Sequence, residues 1–112
     1  MTDNSIDLTT LNELKEIMGD DFSELVTVFI SDTQTQLDDL FAAIETSDAP
    51  AIKRISHTIK GSSANLGIEN LSAISKELEL KAADNNIDSS DELLNSIVNE
   101  YNDVKIELEK LL

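Results

Sequence analysis

The chain has 112 residues, no cysteine, one histidine and 23 acidic against 8 basic side chains, for a formal net charge of −15. That length suits a single domain, residues 1–112, built round one core. The acidity repels nucleic-acid phosphates and anionic membrane surfaces, and the lack of cysteine with only one histidine excludes disulfides, thiolate chemistry and Cys- or His-rich metal sites.

Apolar residues recur at helical spacing nearly throughout, with no alternating run that would indicate a strand. Leu8, Leu11, Leu14 and Ile17 predict a short first helix stopped by Gly19, after which Asp20 and Asp21 are candidate N-caps for a second. That second helix is expected to run to about Thr46 and to bury Phe22, Leu25, Val26, Phe29, Ile30, Leu37, Leu40, Phe41 and Ile44. Ser47 and Asp48 can cap a third, whose first turn tolerates Pro50 because the missing amide would be unpaired there in any case. Gly67 is expected to end it.

A fourth helix from about Glu69 to Asp84 turns Leu71, Ile74, Leu78 and Ala82 inward and closes at Asn85 and Asn86. Ser89 and Glu92 have capping-box spacing ahead of a fifth, with Leu93, Leu94, Ile97, Val98, Tyr101, Val104, Leu108 and Leu111 on its apolar stripe. Connections this short favour antiparallel neighbours, so the expected fold is all-α: an antiparallel four-helix bundle with a short additional N-terminal helix. No stretch approaches the roughly 20 apolar residues that cross a bilayer, and the opening MTDNSIDLTT has neither a basic n-region nor an apolar core, so the chain is expected to be soluble and cytoplasmic.

On the third helix Ile52, Ile55, Ile59, Ser63 and Leu66 fall in one sector, and His57 lies roughly opposite. Lys53, Arg54, Lys60, Gly61 and Ala64 come round to the imidazole's side, since spacings of three, four and seven are neighbours on a helix surface. A solvent-facing histidine is by itself an ordinary polar surface residue; its neighbours set this one apart. Glycine in a helix interior costs about 1 kcal/mol relative to alanine, so Gly61 implies that something approaches this face closely. Small residues at Gly61, Ser62 and Ser63 also suit close helix packing, and the two readings are compatible.

Charge points to the same place. Residues 1–45 carry eleven acids and one base, residues 46–85 five of each, and residues 86–112 seven acids and two bases. A neutral imidazole is a nucleophile near pH 7. A phosphoryl group on the ring would need cationic or donor groups nearby, and the helix N-terminus is too far away to supply them. Lys60, Lys53 and Arg54 can supply that charge, and Gly61 leaves room for the donor. The acidic faces of the second and fifth helices, Asp38 and Asp39 included, are read as solvated exterior. No Walker loop, dinucleotide fingerprint, Ser-His-Asp arrangement or EF-hand loop is present.

The segment from His57 to Gly67, HTIKGSSANLG, resembles the active-site helix of the histidine-containing phosphotransfer (HPt) domains of two-component phosphorelays. The likeness extends more loosely to Phe29-Ile30-Ser31-Asp32 ahead of it and to Leu71, Ile74 and Leu78-Glu79 behind it. Carried over, the resemblance implies that His57 accepts a phosphoryl group from a receiver-domain aspartyl phosphate and passes it to another receiver, with Lys60 balancing phosphate charge and Gly61 giving access. Family members often have glutamine on the next helix beside the imidazole, where this chain has Glu79, so the resemblance implies a hydrogen bond from that position orienting the ring; they usually have leucine where it has Ile59. The resemblance further implies magnesium on the partner receiver, no cofactor on this chain, and response-regulator receivers with or without a hybrid sensor kinase as partners; a nucleophile without nucleotide-binding or kinase elements is expected to be a phosphocarrier rather than a self-sufficient enzyme. The initiating Met1 favours a free-standing protein over a module of such a kinase. The alternative is a non-catalytic helical adaptor that binds a partner through the third and fourth helices.

Overall fold

The computed structural model describes residues 7–112, so the reading of residues 1–6 as free of a targeting segment lies outside it. Five helices follow in chain order, α1 (Leu8–Met18), α2 (Asp21–Glu45), α3 (Ala49–Asn65), α4 (Glu69–Ala83) and α5 (Ser90–Glu109), with no strand among the described residues. Neighbouring helices from α2 to α5 pack on one another, α5 returns to touch α2, and α1 packs on α2. The most extensive contact is between α3 and α4. None of these helices is long and apolar enough to cross a membrane.

Each helix contributes its apolar stripe to one core. Fully buried side chains include Leu11, Phe22, Val26, Leu40, Ile52, Ile59, Leu71, Leu78, Ile97, Tyr101 and Leu108. Burial of a side chain of this kind contributes about 1.5–3 kcal/mol, so this set is the main support of the fold. Tyr101 is buried with its hydroxyl donating to the Ile30 carbonyl at 2.8 Å, a bond that joins α5 to α2. Burial raises the phenol's pKa, assisted by Glu109.

The expected stripes hold with three exceptions. Leu8, Ile17 and Phe41 are 54, 81 and 55% exposed. Met18 lies about 20° from Leu11 round the helix axis and takes the inward position expected of Ile17, while Phe41 sits about 100° on from Leu40, past the edge of the buried sector. Thr33, a polar residue left out of the predicted stripe, is also buried on α2.

Helix ends follow backbone geometry more than side-chain caps. Ser47, Gly67 and Asn85 adopt φ of 54°, 72° and 61° after α2, α3 and α4. The next amide then reaches back to a helix carbonyl: Asp48 to Ala43 at 2.9 Å, Ile68 to Ser63 at 2.9 Å and Asn86 to Lys81 at 2.8 Å. This six-to-one closure satisfies carbonyls that the helix leaves open. Asp48 caps α3 by accepting from the Ala51 amide at 3.1 Å. Two expected caps do not form. Asp20 continues in helical conformation and Ser89 has ψ near 9°, so neither side chain turns back onto the first-turn amides.

Candidate functional site

The site is built on the outer face of α3. Ile52, Ile55, Ile59 and Ser63 are buried beneath it, as is Leu66 just past its end, and this fixes the helix's rotation. His57 consequently points outward, its side chain 64% exposed. Lys53, Arg54, Gly61 and Ala64 share the exposed surface, and Lys60 is half-buried at its edge.

The imidazole is not a loose surface group. Its Nδ1 lies 2.7 Å from Oε2 of Glu79 on α4, and Lys60 Nζ lies 2.8 Å from the same carboxylate's other oxygen, Oε1. Glu79 is largely shielded, at 13% exposure. The bond to Lys60 holds its carboxyl below the usual range; burial opposes this and the bond to His57 reinforces it. An ionised carboxylate has no proton to give, so the bond must be Nδ1–H donating to Oε2. This assigns the tautomer: in the neutral ring the lone pair is on Nε2, the nitrogen farther from the backbone.

Lys53, Arg54, Pro50 and Thr58 surround a recess with His57 and Glu79. Lys60 is therefore not a free cation in this state, since Glu79 already engages it; Lys53 and Arg54 are the exposed ones. Ala64 is exposed but lines a separate recess with Gly67 and Lys76. A Cβ built on Gly61 would meet nothing within 4 Å. The glycine is thus not demanded by packing inside this chain, and the surface beside the ring is open.

The α3–α4 pair holds the geometry. The Ser72 hydroxyl donates to the Lys60 carbonyl at 3.0 Å, and Ser56, Ser63 and Ser75 are wholly buried small residues. Two features were not read from the sequence. Thr58, adjacent to the histidine, lines both the His57 recess and an apolar groove with Leu25, Val28 and Phe29 of α2. Asp7 caps α1 through Thr10 and its amide bonds the Gly67 carbonyl at 3.0 Å, which docks α1 on the α3–α4 turn. The Asp7-x-x-Thr10 spacing was the available signal. Among the described residues no three His, Cys, Asp or Glu side chains gather as metal ligands.

Comparison with known proteins places the fold. Among curated proteins no relative matches. The structure is similar to that of histidine-containing phosphotransfer protein B from Pseudomonas aeruginosa PAO1, with a TM-score of 0.94 and 29% identity over 97% of this chain and 95% of that one. The family model for the Hpt domain matches residues 24–112, from early in α2 to three residues past the end of α5. The chain belongs to the Hpt domain family.

Proposed function

We propose that this chain is a phosphorelay intermediate in which His57 accepts a phosphoryl group from a receiver-domain aspartyl phosphate and passes it to a second receiver aspartate. The observation that carries the reading is the imidazole itself: exposed, held through Nδ1 by Glu79, and flanked by the open surface at Gly61. Nε2 is the attacking atom. Its lone pair forms the N–P bond as the donor's P–O bond breaks, and the donor aspartate leaves as carboxylate. In-line transfer of this kind depends on positioning and charge balance. His57 supplies the first, and the exposed Lys53 and Arg54 the second, with Lys60 balancing the Glu79 carboxylate that holds the ring.

The ring of α2 to α5, joined by short connections, is read as an antiparallel four-helix bundle that carries α1 and presents α3 outward. The partner is a receiver domain that supplies its own magnesium. It docks over Gly61 and the apolar groove beside Thr58, with Ala64 on the rim. The chain acts as a phosphocarrier, because it contributes a nucleophile and a charge environment but no nucleotide-binding motif.

The test is incubation with a labelled phosphoreceiver, using the wild type and His57→Gln. Label is expected on the wild type alone. Label on both or on neither removes the carrier reading, and stable binding without label is the behaviour of the adaptor.

A further inference from the structure

Glu79 divides its two oxygens between the His57 ring and Lys60. We propose, building on the carrier reading, that Glu79 is a positioning residue that retains the Nδ1 proton on the phosphorylated ring and so keeps the phosphoryl group transferable into the alkaline range.

The proton count shows why that proton matters. When Nε2 bonds to phosphorus and the donor carboxylate departs with its electron pair, Nδ1–H is still in place and the ring becomes a phosphoimidazolium. In discharge an acceptor carboxylate oxygen attacks phosphorus, the N–P bond breaks, and its electron pair returns to Nε2. The product is neutral imidazole with Nδ1–H intact. If the Nδ1 proton is lost first, the same cleavage must expel an imidazolate anion, a much poorer leaving group. A phosphorylated ring without that proton is stable but stalled.

A carboxylate and an amide treat this proton differently. Ionised Glu79 accepts from Nδ1–H and has no donor for a bare Nδ1, so it opposes proton loss. Glutamine can accept through its oxygen or turn and donate through its NH2, and so tolerates either state of the ring. The other charges facing the ring are cationic. Lys53 and Arg54 of α3 line its recess, and Lys60 offsets part of the Glu79 charge at 2.8 Å. On α4, Lys76 lines the neighbouring recess with Ala64, and on α2, Asp32 lines the groove on the other side of Thr58. Glu79 is the one carboxylate bonded to the imidazole among the described residues, and the cations limit its effect to the low end of the range for an opposite charge in contact.

The experiment uses the full chain, loaded on the ring with phosphoramidate, a small donor that phosphorylates an accessible imidazole without a receiver. Titration of the labelled ring nitrogens by NMR gives the midpoint of Nδ1 proton loss, and phosphate release gives the discharge rate across pH. The wild-type midpoint is expected to lie about one pH unit or more above that of Glu79→Gln, with discharge persisting to correspondingly higher pH. Lys60→Gln, which removes the counter-charge, is expected to move the midpoint the other way, upward from wild type. Equal midpoints for wild type and Glu79→Gln, or a downward shift in both variants, overturn the proposal. Because loading by phosphoramidate needs no receiver, this result is independent of whether a receiver transfers to His57, and the two readings fail separately.

Discussion

Gly61 and Gly67 lie six residues apart at the same end of the molecule, and they are glycines for opposite reasons. Gly67 has φ of 72°, and a Cβ there would come within 3.0 Å of Thr10 and 3.1 Å of Asp7. Its backbone and its neighbours both demand the absence of a side chain. Gly61 sits inside α3, with open space where its Cβ would be. Nothing within the chain requires glycine there, although helix propensity argues against it by about 1 kcal/mol. One glycine serves the fold; the other gives up helix stability and leaves bare the surface over which we propose that the receiver docks.

The sharpest way to break this contrast is Gly61→Gln. Transfer from a phosphoreceiver is expected to fall about a hundredfold or more, the scale set by displacing reacting groups by an ångström. Thermal stability should hold or rise. A variant that unfolds, or one that transfers normally, would erase the distinction. Gly67→Ala is the mirror experiment. It should cost about 1–2 kcal/mol, since alanine must adopt a left-handed backbone against Thr10, and denaturant unfolding would measure the loss. Transfer by the folded fraction should be unchanged.

The smallest effect sharpens the comparison by asking what the site contributes to stability. The Glu79 carboxyl is held below its ordinary value near 4.5, chiefly by Lys60. A depressed carboxyl stabilises the folded state above its unfolded pKa, and that contribution is lost as pH falls through the folded value. Wild type should therefore lose stability below about pH 4.5 more steeply than Glu79→Gln, as measured by urea midpoints over that range. Parallel curves would mean that the ion pair contributes nothing to folding.

The helices and the outward direction of His57 were legible in sequence because both depend on periodicity alone. Ile52, Ile55 and Ile59 define a buried sector, and the imidazole's direction follows from counting round the axis. Phe41 and Ile17 escaped because composition marks a residue as apolar without saying where the edge of the buried sector falls. Ser89 and Asp20 escaped because a cap depends on local φ and ψ, which spacing does not determine. The link from His57 to Glu79 was visible only through family resemblance, since contact between two helices is not written in the period of either. That Lys60 is already engaged by Glu79 could not be read from α3 alone, where it looks like one more cation beside the ring.

The ring and its carboxylate are separated by only 22 residues, on consecutive helices joined by the short turn at 66–68 and fastened by the Ser72 hydroxyl. Contacts this near in sequence form early and with little loss of chain entropy. The reactive geometry therefore belongs to one helical hairpin, and it can come together before the two ends of the chain have met.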